Sequence, residues 1–164
     1  MMPEVKKILY ATDLSQNTSS LVFSYAVDLA KRFNAQIVIL HSIENIRYMG
    51  DDGISIELGE MLEEAKRQER KTNIEEINKR IEAFCKRTET QVGFSCTQLV
   101  SKILVPQGNP VDEILKAADE EGCDVIVLGP HKKGFLKEAF LGSVTRSVLE
   151  RTSKPVFVVP MPSK

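Results

Sequence analysis

The chain has 164 residues, of which 42% are hydrophobic and 27% charged, and its formal net charge is −1. That length suits one domain, residues 1–164, with a sizeable core. The near-neutral balance excludes a general electrostatic affinity for nucleic acid or an anionic membrane.

The start, MMPEVKK, lacks a secretory apolar region and leads into Lys7 to Thr12 (KILYAT), a run of strand formers that stops at Asp13. Ser15 to Phe33 has helical spacing, with Leu21, Tyr25 and Leu29 on one face and Val22, Ala26 and Phe33 flanking it; Asn34 supplies the stop. Gln36 to His41 (QIVILH) is apolar on both faces, as a central parallel strand should be. Residues 44–60 carry glycines and no sustained period, which predicts an irregular or partly helical insertion. From about Met61 to Arg87 the sequence is helical, with a narrow apolar seam of Ile74, Ile77, Ile81 and Phe84 amid interleaved charges that read as a solvated face.

A third strand is expected over Leu99 to Val105, with a start as early as Phe94. Asn109-Pro110 is a helix start, an N-cap residue followed by proline at the first helical position. Val111, Ile114, Leu115 and Ala118 line that helix and Gly122 closes it. Asp124 to Leu128 is the fourth strand. Ser143 to Arg151 is helical, and Pro155 to Val159 is a last strand whose flanking prolines suit an edge. Apolar runs such as ILYA and IVIL are far short of a membrane span. Cys85, Cys96 and Cys123 are an odd set without C-x-x-C spacing and read as reduced thiols packed as small hydrophobes. A cytoplasmic protein is the expectation.

Strands alternating with helices imply an α/β fold: a single doubly wound, five-stranded parallel sheet, Rossmann-like or flavodoxin-like, with strand order 3-2-1-4-5. Ligands of such sheets bind beyond the carboxyl ends of the strands where the winding reverses, here between the first and fourth strands. Thr12-Asp13 and Gly129 sit at those two ends. Gly142-Ser143 opens a helix whose free N–H groups and positive dipole end suit an anion. His131, Lys132, Lys133 and Lys137 add local positive charge, and Asp13 suits a ribose hydroxyl or a base amine.

KILYATDLS, IVILHSIE, VPQGNPVDEILKAADEEGCDVIVLGPH and LGSVTRSVLERTSKPVFVVP together resemble the universal stress protein family over essentially the whole chain. The ATP-binding branch of that family carries G-x2-G-x9-G-[ST]. Gly129 stands at its first position, Lys132 at the second glycine, and Gly142 and Ser143 follow nine residues later. The resemblance implies bound ATP, with Mg or Mn as its companion, and a homodimer formed through the edge strand Pro155 to Val159. It places Ala11, Thr12 and Asp13 at the adenosine end, Leu40 to Ser42 beside adenine and Gly108 near the ribose. Gly129 falls at the ribose and α-phosphate, with His131 and Lys132 in the intervening loop and Gly142, Ser143 and Val144 at the phosphates.

Lys132 departs from the motif. A lysine at positive φ costs about 1–2 kcal/mol, and a charge-assisted hydrogen bond from its amine returns roughly 1.5–3 kcal/mol. The resemblance therefore implies an ATP-binding stress-response or regulatory protein with slow hydrolysis at most. An interaction module that has lost nucleotide is the alternative, favoured by Lys132 and Ala11. A nucleotide hydrolase or adenylate transferase is a third reading, against which stand the lack of a P-loop signature and of a matched partner for His41 or His131. No catalytic residue, metal ligand set, nucleic-acid partner or membrane partner is expected.

Overall fold

The computed structural model describes residues 2–15, 19–44, 56–129 and 142–160. Strand β1 (Lys7–Ala11) is central, because its side chains are apolar on both faces and both neighbouring positions are filled by equally apolar strands. It pairs in parallel with β2 (Gln36–Leu40) on one side and β4 (Val125–Leu128) on the other. Outside these lie β3 (Val100–Leu104), against β2, and β5 (Val156–Val158), against β4. The five strands run in the order 3-2-1-4-5, as the alternation of strands and helices predicts.

Alternate residues of the sheet feed two cores. Ile8, Tyr10, Ile37, Ile39 and Val127 face helices α1 (Ser19–Phe33) and α2 (Ile56–Val92). Leu9, Val38, Leu40, Ile126 and Leu128 face α3 (Pro110–Glu120) and α4 (Ser143–Arg151). Asn109 caps α3 through its side-chain oxygen, which accepts from Val111 N and Asp112 N, with Pro110 opening the helix. Gly122 at φ +64° and Asn34 at φ +54° end α3 and α1 in the left-handed conformation expected of helix stops.

Several expectations are corrected. The buried stripe of α1 is Val22, Phe23, Ala26, Val27 and Ala30, so the helix is rotated from the predicted face and Tyr25 and Phe33 are exposed. The small side chains Ala26 and Ala30, fully buried, let the backbone lie close to the sheet. Tyr25 meets Phe157 of β5 instead, ring centroids 5.9 Å apart. Helix α2 is longer than the predicted segment, at 37 residues. Only Ile74, Ile77, Ile81, Phe84 and Cys85 of it reach the core, so the predicted seam is the docking face and the earlier turns extend past it. Of the predicted insertion, residues 45–55 lie outside the described residues and 56–60 begin α2. Strand β3 starts at Val100, because Cys96–Leu99 form a 3₁₀ turn.

The cysteine reading is also corrected. Cys85 and Cys96 form a disulfide, with Cα atoms 5.1 Å apart. Gly93 at φ +88° reverses the chain after α2, and the 3₁₀ turn brings Cys96 back alongside Cys85. The pair is distant in motif terms and adjacent in space, so the expectation of three reduced thiols, and the support it lent to a cytoplasmic location, falls. Cys123 is a fully buried free thiol, as expected, and burial pushes its pKa up to about 11. Among the described residues no helix is long and apolar enough to cross a membrane.

Closing a loop of sequence separation 11 is expected to stabilise the fold by about 2–3 kcal/mol, chiefly by restricting the unfolded chain. Urea unfolding should show that loss for Cys96→Ser. Added reductant should reproduce it in the unsubstituted protein and leave the variant unmoved.

Candidate functional site

Beyond the carboxyl ends of β1, β2 and β4 the chain opens a cleft of about 280 Å³. Its walls come from the exits of the three strands and from the first turns of α1, α3 and α4. Ala11, Thr12 and Asp13 line it after β1, Leu40, His41 and Ser42 after β2, and Leu128 and Gly129 after β4. Val22, Ile114 and Val144 add apolar surface from the helices.

The rim is fixed by bonds that continue the sheet ladder past the strands. Thr12 N donates to Leu40 O at 2.9 Å, His41 N to Leu104 O at 2.9 Å, and Ile43 N to Pro106 O at 2.8 Å. His41 Nδ1 lies 2.9 Å from Thr12 O, and because a carbonyl can only accept, Nδ1 carries the proton. The histidine thereby ties the loop after β2 to the loop after β1.

That second loop is folded on its own side chains. Thr12 Oγ1 accepts from Leu14 N at 3.0 Å and Asp13 Oδ1 accepts from Ser15 N at 2.8 Å. Leu14 consequently sits at φ +61°, an uncommon conformation for a branched residue. From α2, Arg80 Nη1 donates to Leu14 O at 2.7 Å and its Nε to Glu76 Oε1 at 2.9 Å, pinning the loop from outside. Beneath it, buried Tyr10 donates its hydroxyl to Ser19 O at 3.0 Å. Burial pushes this phenol up to about 12, so it stays a neutral donor.

Gly129 is required by contact. A Cβ there would fall 2.4 Å from Val22 Cγ2, and Val22 is itself only 3% exposed and stiff at its branched carbon. Gly129 O accepts from Thr145 Oγ1 at 3.2 Å, and Thr145, 1% exposed, locks the exit of β4 to the first turn of α4. Gly142 is the N-cap of α4 at φ −56°, and it provides no side chain to bond the first N–H groups of that helix. The α3 N-terminus, by contrast, is closed by Asn109. Of the α3 and α4 starts, α4 is the one without a side-chain cap, which suits an anion.

Residues 4–160 match the universal stress protein family. The chain belongs to this family. Universal stress protein MJ0577 of Methanocaldococcus jannaschii is 34% identical over 159 residues, 94% of each chain. The solved structure of MJ0577 superimposes with a TM-score of 0.62 over 99% of this chain and 100% of that one. Universal stress protein UspA from Lactobacillus plantarum gives 0.70 at 21% identity, covering 96% and 99% of the two chains. The universal stress protein of Archaeoglobus fulgidus in complex with dAMP gives 0.56 at 20% identity, covering 93% and 96%. At those identities the last two speak for the fold alone.

Of the residues singled out in the sequence, Ala11, Thr12, Asp13, Leu40, Ser42, Gly129 and Val144 line this one cleft. Gly108 does not line the cleft; its carbonyl accepts from Ser42 Oγ at 2.8 Å, so it holds a lining residue. Gly142 and Ser143 stand at the start of α4, next to lining Val144. His131 and Lys132 lie outside the described residues. Sequence reasoning missed Tyr10, Ser19, Val22, Glu44, Pro110, Ile114, Leu128 and Thr145 as lining residues, whereas His41 falls within the predicted Leu40 to Ser42 stretch.

Gly129→Ala should cost about 1–3 kcal/mol of stability through overpacking against Val22. Adding Val22→Ala should recover part of that cost, so that chemical unfolding of the four proteins yields a non-additive cycle. Simple additivity would refute the contact as the reason for the glycine.

Proposed function

We propose that this universal stress protein binds ATP in the cleft, as a dimeric regulatory or stress-response protein with slow or no hydrolysis. The observation that carries the reading is the uncapped start of α4 beside an apolar slot that has Asp13 at its other side. A purine suits the slot between Ala11, Leu40 and Ile114, and Asp13 suits the ribose, with Ser42 held near by Gly108. The phosphates would run along Gly129 to the N–H groups of Gly142, Ser143 and Val144, where the helix dipole favours negative charge. His131 and Lys132, on the connecting loop, would add positive charge there.

A companion Mg or Mn would be held chiefly by the nucleotide's own phosphates. His41 donates Nδ1–H to Thr12 O, which makes the imidazole a strut for the rim. The Archaeoglobus fulgidus universal stress protein, of the same family, is solved in complex with dAMP, a ligand of the class proposed here.

Thermal unfolding with and without Mg·ATP tests the reading. At about 100-fold over Kd the bound state gains roughly 2.7 kcal/mol, a rise of about 5–11 °C for a chain of this size at about 2–4 °C per kcal/mol. No shift at millimolar ATP, together with no adenine nucleotide released on denaturation, would sink it. Ser143→Glu separates binding from folding: a carboxylate in the first turn favours the helix by about 0.3–1 kcal/mol but opposes phosphate. The variant should keep its midpoint without ligand and lose the ATP shift.

The dimer is proposed to form through β5. This strand is the sheet's outer edge, and Phe157 and Tyr25 beside it are 36% and 44% exposed. An open edge flanked by aromatic rings is a ready surface for a second copy. Sedimentation should give a dimer for the unsubstituted protein and a monomer for Phe157→Lys; a monomer in both cases would refute the assignment.

A further inference from the structure

A second cavity, of about 270 Å³, lies on the α1–α2 side of the sheet behind the cleft. Its floor and walls are apolar: Phe23 from α1, Ile39 from β2, and Ile77, Ile81 and Phe84 from one face of α2. The rings of Phe23 and Phe84 meet edge to face at 5.0 Å and close its inner end. Its mouth is charged. Arg80 and Arg87 stand one and three turns along α2 from Glu76, and all three line the cavity.

The charges do not cancel. Glu76 Oε1 is taken by Arg80 Nε at 2.9 Å, and the same guanidinium donates to Leu14 O, so Arg80 is a fixed part of the wall. Arg87 lies over the Phe84 ring, 5.9 Å from its centroid, at the boundary between aromatic wall and solvent. Two guanidiniums against one carboxylate leave one positive charge over an apolar hole, and a guanidinium is suited to bidentate capture of a carboxylate.

We propose that this cavity is a ligand site for an amphiphilic carboxylate, its aliphatic chain against Phe23, Ile77, Ile81 and Phe84 and its head group on Arg87. The volume of about 270 Å³ lies just below the range of drug-sized ligand cavities, roughly 300–1,000 Å³, which selects a short or medium chain. Nothing in this assignment depends on ATP binding. The cavity and the cleft share Tyr10, Thr12 and Ser19 as a wall, so the test must show which of the two is filled.

Methyl NMR on the nucleotide-free protein, titrated with octanoate and separately with octanol, provides that test. Octanoate should give saturable shifts at the Ile39, Ile77 and Ile81 methyls, and octanol should bind at least about tenfold more weakly for want of the charged hydrogen bond. Arg87→Gln should weaken octanoate by a similar factor and leave octanol unchanged. Ala83→Trp, on the exposed rim of the cavity and away from the cleft, should abolish the shifts without lowering the melting temperature. Ser143→Glu, at the cleft, should leave octanoate binding intact whether or not it removes ATP binding. Absence of saturation at millimolar octanoate, equal binding of octanol, or full binding by Ala83→Trp would each overturn the proposal.

Discussion

The approach of Gly129 to Val22 is the constraint on which the cleft depends. Helix α1 lies against the sheet on small residues, and at its first turn it meets the backbone leaving β4 with no room for a Cβ. That contact sets the height of α1 over the strand ends. Thr145 fixes the same glycine from the opposite face by bonding its carbonyl. One residue is therefore held from both layers, and the first turns of α1 and α4 are placed relative to each other through it. Close packing explains why so small a group controls the geometry: a core at crystal-like density cannot absorb one extra methyl group at this position.

The rim inherits its order from the sheet. Parallel strands that end together would normally release their chains into independent loops. Here the ladder continues one residue beyond β1, three beyond β2 and two beyond β3, through the bonds at Thr12, His41 and Ile43. Loop residues thus behave as strand extensions, and the side chains of Thr12, Asp13 and Ser42 emerge from a rigid backbone. Leu14 bears the cost of this arrangement in its left-handed conformation, and Arg80 offsets it by bonding the Leu14 carbonyl. The strain in the loop is thereby coupled to the docking of α2.

Much of this was legible in the sequence, and the reasons are local. Buried parallel strands need apolar residues on both faces, so KILYA, QIVIL and VIVL declare themselves and their alternation with helices fixes the order. Asn109-Pro110 and Gly122 mark α3 because capping is decided within four residues. The failures are tertiary. Which face of α1 is buried depends on the sheet it meets, and Tyr25 reads as core until Phe157 offers it an edge position. The Cys85–Cys96 bond needs the reversal at Gly93, which no spacing rule contains. The cleft residues after β1, and Gly129, were found because strand ends at a reversal of winding are predictable. Val22 and Thr145 were not, since their roles are to press on and bond a backbone that only the packed structure brings near.

The starts of α3 and α4 at the cleft differ in how their first N–H groups are served. A helix of either kind leaves its first N–H groups without internal partners, and each needs an acceptor. In α3 the sequence provides one, the Asn109 side chain, which takes two N–H groups and leaves the end quenched. In α4 the N-cap is a glycine, whose φ of −56° demands no special conformational freedom. The glycine at that position is thus not explained by backbone strain. What it does is withhold a side chain: any serine, asparagine or aspartate there would cap the helix from within and occupy the place of an external oxyanion. The stability given up by leaving the end uncapped is of the same kind as that a bound phosphate would restore. On this argument Gly142 marks the site through the self-capping it forgoes, and Gly129 marks it through the contact it permits.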